Sequence, residues 1–109
     1  MIYGLSEHTI QKLVDVFKRN NLIDAAILFG SRAKGTFREG SDIDIALKGE
    51  KLNVQMLKKI ELQVDELMLP YEVNIIIYQT ITNQQLIEHI KRAGITIYYK
   101  KQSKVGNSR

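Results

Sequence analysis

Two stretches of the chain hold residues able to act together chemically: Gly30-Ser31 and, ten residues further on, Asp42-Ile43-Asp44. Gly30 follows an apolar run from Ile23 to Phe29. Lacking a side chain, it lets the backbone turn sharply and come close to a ligand. Ser31 adds a hydroxyl and, if a helix starts there, amide donors with no partner inside the helix, which suit phosphate oxygens. Arg32 and Lys34 put two cations on the same turn. Asp42 and Asp44 stand two residues apart at the start of a strand-like run, so both carboxylates point to one face and Ile43 to the other. Carboxylates so spaced suit magnesium, which binds through one or two of them plus substrate phosphates. The chemistry this allows is orientation of a triphosphate and stabilisation of attack at its α-phosphorus. Such transfer relies on positioning and charge, so a small domain suffices.

Plainer explanations exist for each residue. Asp-x-Asp alone is a weak signal, because turns and strand ends are full of solvated aspartates. Its weight comes from the Gly-Ser before it and the strands on either side. Arg32, Lys34 and Arg38 each read individually as solvated; Arg32 is the best phosphate candidate of the three because it adjoins Ser31. Gly35 and Gly40 could simply permit turns. The stretch Gly30 to Thr36 has a superficial likeness to a P-loop but lacks the lysine after the second glycine, which excludes that reading. His8 and His89 stand alone on helices without a metal-spaced partner and read as surface or packed residues. Tyr98-Tyr99 reads as packing or as closure of a sheet edge.

The elements that must position these residues follow from periodicity. Ser6 is a candidate N-cap with Glu7 in the first turn, and Ile10, Leu13, Val14 and Phe17 recur at helical spacing up to Asn20-Asn21. Ile23 to Phe29 reads as a buried strand, Gly30 to Ser41 as a turn with a short helical piece, and Ile43 to Leu47 as a second strand. Leu57, Ile60, Val64 and Leu67 mark a helix that must stop before Pro70. Tyr71 to Tyr78, with Val73 and three consecutive isoleucines, is the most strand-like stretch. Thr82 or Asn83 caps a last helix carrying Leu86, Ile87 and Ile90, with Gly94 as its stop. Ile95 to Tyr99 could add an extended segment. The expected class is α/β (α+β): a small mixed sheet with flanking helices covering one main face.

The chain has 109 residues, enough for one domain, expected over residues 1–99. It has no cysteine, which excludes disulfides and thiolate metal sites. No apolar run is long enough to span a membrane, and the first residues do not resemble a secretory signal. A soluble, cytoplasmic protein is expected. The formal charge of +4 suggests nucleic acid at first sight. However, Lys100, Lys101, Lys104 and Arg109 fall in residues 100–109, a segment without acids that reads as a basic, flexible tail. Without them, twelve basic and twelve acidic residues remain, so the folded part shows no basic stripe and nucleic acid is a weakly supported partner.

Gly30-Ser31-Arg32-Ala33-Lys34-Gly35-Thr36-Phe37 and Gly40-Ser41-Asp42-Ile43-Asp44-Ile45-Ala46-Leu47 resemble the signature of the nucleotidyltransferase superfamily typified by DNA polymerase beta. The chain is most similar to the minimal nucleotidyltransferases of bacteria, often paired with a HEPN-domain toxin, and the likeness covers roughly Ser6 to Tyr99. This resemblance implies a nucleotidyltransferase using two magnesium ions and a nucleoside triphosphate, usually ATP. In toxin–antitoxin members the acceptor is a tyrosine of the partner toxin, which would make this chain the antitoxin. It implies Asp42 and Asp44 as metal ligands and Gly30, Ser31, Arg32 and Lys34 at the nucleotide.

One position departs from the family. A third carboxylate normally comes from the next core strand, where this chain has Asn74. Asparagine is neutral, a poorer magnesium ligand, and no proton acceptor. General-base catalysis is worth about 10²–10⁴-fold, so activity is expected to be weakened. Glu72 lies on the same face two residues away, roughly 7 Å along the strand. The rival expectation is a catalytically impaired nucleotide-binding protein that neutralises a partner by direct contact.

Overall fold

The computed structural model describes residues 2–101. Helix α1 (Glu7–Arg19) leads into strand β1 (Ala25–Phe29), the single-turn helix α2 (Ser31–Lys34) and strand β2 (Ile43–Lys48). Helix α3 (Val54–Asp65), strand β3 (Val73–Ile77), a 3₁₀ turn (Tyr78–Thr80), helix α4 (Gln84–Ala93) and strand β4 (Ile95–Tyr99) complete it. The strands form one mixed sheet in the order β3-β2-β1-β4. β2 and β3 run parallel, while β1 is antiparallel to β2 and to β4. The expected class and element order are present, and Ile95–Tyr99 is a strand.

Local sequence accounts for the helix ends. Ser6 accepts from the Thr9 N–H at 3.1 Å, Asn53 from Met56 at 2.9 Å and Asn83 from Leu86 at 3.0 Å. Caps of this kind are each worth about 1 kcal/mol. Asn83, not Thr82, therefore caps α4. Asn20 ends α1 as expected and does more. Its buried amide donates to the Val16 carbonyl at 2.7 Å and to Gln63 Oε1 at 2.8 Å, tying α1 to α3. Asn20→Ala is expected to cost about 1–3 kcal/mol by orphaning these acceptors, read as a lower urea midpoint with an unchanged slope.

The sheet is covered on both faces, not on one as periodicity suggested. On the first face, Leu13, Val16 and Phe17 of α1 and Ile60 and Val64 of α3 pack on Leu28, Ile43, Ile45, Leu47 and Ile75. On the second, Ile90 of α4 packs on Ile27 and Ala46, with Phe29, Ile76 and Leu86 beside them. α4 is short and only one of its residues is fully buried, so its stripe did not reveal which face it covers. It leaves the β2–β3 end of this second face open, and that is where the acidic residues stand. Of the tail expected over residues 100–109, Lys100 is tied down, its N–H donating to the Asp24 carbonyl at 2.8 Å and its Nζ to the Asn21 carbonyl at 2.8 Å. Residues 102–109 lie outside the described residues.

Candidate active site

Register brings the site together. Asp44 faces Phe29 across the antiparallel β1–β2 pair and Asn74 across the parallel β2–β3 pair. Gly30 follows Phe29, so the glycine bend, Asp44 and Asn74 meet at one end of three adjacent strands. Ile43, between the two aspartates, is fully buried on the opposite face, as strand alternation requires. Asn74 Nδ2 donates to Asp42 Oδ2 at 3.2 Å and to Asp44 Oδ1 at 2.9 Å. The two carboxylates therefore converge on a single amide nitrogen.

Gly30 closes the site from β1. Its backbone angles, φ 78° and ψ −154°, belong to a region open essentially to glycine alone. A Cβ there would stand well inside van der Waals contact distance of Asp44 Oδ2, so the bend and the carboxylate are in direct apposition. The chain then enters α2, where the Lys34 N–H donates to the Gly30 carbonyl at 3.1 Å and no side chain caps the first turn. Ser31 is half-buried beside this opening and Lys34 is exposed.

Arg32, expected at the nucleotide, is buried and held by the protein itself. It is 2% exposed, and each of its three guanidinium nitrogens donates a hydrogen bond. Nε and Nη2 donate to the Ser41 carbonyl at 3.2 and 2.7 Å, and Nη1 donates to the Tyr3 carbonyl at 2.9 Å. The Phe37 and Tyr71 rings flank it at 5.4 and 5.0 Å. Adjacency to Ser31 in sequence did not translate into adjacency of side chains, because successive helix positions point about 100° apart. Arg32 instead fixes the residue that precedes Asp42.

His89 of α4 is packed, one of its two expected settings, but its place beside the Gly30 bend was not foreseen. Its Nε2 accepts the Gly30 N–H at 2.9 Å, and its ring meets Phe29 edge-on with centroids 6.2 Å apart. No local spacing could reveal a contact made across 59 positions. Glu72 is exposed, and its carbonyl accepts the Ile43 N–H at 2.9 Å. β3 is an edge strand, and a hollow of about 450 Å³ between it and α3 is lined by Glu61, Val64, Asp65, Val73 and Ile75 as well as Glu72 and Asn74; Asp42, Asp44 and Gly30 do not line it.

Two like charges this close repel, and the Asn74 amide offsets only part of that cost. A divalent cation completed by phosphate oxygens fits this donor set better than an amide does. Among the described residues, no group of three or more His, Cys, Asp or Glu side chains forms a self-sufficient metal cage.

Comparison with known proteins bears on the fold and the family. No curated protein sequence matches the chain significantly. Among solved structures, the fold is similar to a toxin–antitoxin crystal structure with AMP-PNP, at 24% identity over 90% of this chain and 77% of that one, with a TM-score of 0.65. It is also similar to the MntA–HepT toxin–antitoxin, at 15% identity over 87% and 74%, TM-score 0.66. A third likeness is to a tri-AMPylated Shewanella oneidensis HEPN toxin in complex with MNT antitoxin, at 15% identity over 88% and 74%, TM-score 0.67. The family model described as polymerase beta, nucleotidyltransferase matches residues 11–103. The chain belongs to the polymerase-beta nucleotidyltransferase family.

Proposed function

We propose that the chain is a magnesium-dependent nucleotidyltransferase that moves AMP from ATP to a protein or nucleic-acid acceptor, as the antitoxin of a toxin–antitoxin pair with a HEPN-type toxin. The observation that carries this reading is the convergence of Asp42 and Asp44 on one point beside the Gly30 bend. Further support comes from the AMP-PNP and AMPylated-toxin complexes among the structures of similar fold.

Asp42 and Asp44 would hold the metal, two ions in the full site, and the Gly30–Ser31 turn would receive the phosphates, with Ser31 as the donor because the Gly30 N–H is taken by His89. Lys34, exposed on the same turn, neutralises phosphate charge without a fixed contact. When bound, magnesium supplies charge neutralisation along the triphosphate and at the α-phosphorus. An acceptor hydroxyl oxygen attacks that phosphorus, the bond to the bridging oxygen of the β-phosphate breaks, and pyrophosphate leaves. The hydroxyl proton must go to a base. Asn74 cannot take it, so it passes to solvent or to Glu72, and turnover is slow for that reason.

A second reading has its own observation. The Asn74 amide sits between the two carboxylates as a neutral tie, which suits a protein that keeps the fold and blocks its partner by contact. Incubation with labelled ATP and magnesium, with and without the partner, separates the two. Label transfer to the partner that disappears in Asp42→Ala supports the enzyme; partner inhibition with no label transfer supports the passive reading.

Asn74→Asp restores a third carboxylate. Turnover is expected to rise by about 10²-fold or more, within the range of general-base effects, while Glu72→Ala lowers residual activity of the unaltered chain. The initial rate of label transfer measures both. No change in either variant would remove the assigned roles of Asn74 and Glu72.

A further inference from the structure

We infer that His89 is a positioning residue, holding the Gly30 bend against Asp44 so that the phosphate chain meets the acidic pair in register. The inference rests on the nucleotide reading of the site. Its own basis is separate. The Gly30 N–H donates to His89 Nε2 at 2.9 Å. The same imidazole packs edge-on against Phe29, the residue on the other side of that peptide and the register partner of Asp44. One ring thus holds the last strand residue and the first bend residue together. α4 gives it a firm base, because Ile90, the next residue, is buried on Ile27 and Ala46.

Two consequences follow from hydrogen-bond chemistry. Nε2 accepts only when it carries no proton, so the neutral ring takes its proton on Nδ1. Gly30's amide is occupied, which leaves Ser31 as the first residue of the turn able to donate to a phosphate. A bend in a glycine-only conformation would otherwise have several neighbouring orientations, and only one sets it against Asp44.

The test uses the whole chain as His89→Leu and His89→Gln. The glutamine Oε1 reaches about as far as Nε2 and can accept the same N–H; leucine fills the space and cannot. Binding of magnesium–AMP-PNP is measured by titration calorimetry, and exchange of the Gly30 amide proton by nuclear magnetic resonance. Expected are a roughly three- to tenfold loss of affinity in the leucine variant, as for one lost hydrogen bond, and recovery to within about twofold in the glutamine variant. Gly30 exchange should be slow in the native and glutamine proteins and fast in the leucine protein. Undiminished binding by the leucine variant overturns the inference, as does equal weakening of both folded variants, which would reduce His89 to packing. No binding by the unaltered protein instead removes the nucleotide reading, and this inference with it.

Discussion

Gly30→Ala is expected to weaken magnesium–AMP-PNP binding by about a hundredfold or more while leaving a folded protein. Two physical terms act together. The backbone at Gly30 lies where a side chain costs about 1–3 kcal/mol, and the upper figure alone converts to roughly a hundredfold. The added methyl also falls on Asp44 Oδ2, so either the bend or the carboxylate must leave its place. Either movement separates the phosphate side of the site from its metal side. Gly40→Ala is the control, because Gly40 also has a positive φ but nothing lies within 4 Å of the Cβ it would gain. Gly40→Ala should lose stability and keep affinity. If Gly30→Ala bound the nucleotide within threefold of the native chain, the bend would not be part of the site.

The second large effect falls on stability. Arg32→Ala is expected to cost on the order of 3–5 kcal/mol, a large part of the 5–15 kcal/mol typical of a whole domain. It removes three hydrogen bonds, leaves the Tyr3 and Ser41 carbonyls short of donors, takes the cation from between two aromatic rings and leaves a hole. Arg32→Lys should recover little, since an ammonium cannot reproduce the planar fork that meets both carbonyls. Urea denaturation followed by circular dichroism measures both variants. A phosphate-binding arginine would behave in the opposite way, with affinity lost and stability kept; that outcome would restore the role expected from sequence.

The contrast between Arg32 and the aspartates shows what the sequence could and could not reveal. Asp42 and Asp44 were legible because a strand has one side-chain period, and two residues apart means one face in any strand. The place of Asn74 beside the aspartates was legible because β3 is a short, strongly β-prone run, and the register sets Asn74 opposite Asp44. The setting of Arg32 was not legible, because it depends on carbonyls and rings at Tyr3, Phe37, Ser41 and Tyr71, which only the folded chain assembles. The same holds for His89, where a residue on the last helix meets a bend on the first strand. The face covered by α4 was hidden for a related reason: amphipathic spacing says that a helix packs, not on which side of the sheet. Side-chain direction within one element is a local property, whereas partnership between elements is not.

The most direct measurement is the magnesium dependence of AMP-PNP binding by titration calorimetry, in the native chain and in the Asp42→Asn, Asp44→Asn double variant. Asparagine keeps the shape of each side chain and removes its charge, so the comparison isolates the acidic pair. The native chain should bind appreciably only with magnesium, and the double variant should lose roughly tenfold or more of that affinity. Equal, magnesium-independent binding by both proteins would contradict the assignment of Asp42 and Asp44 as the metal-holding pair.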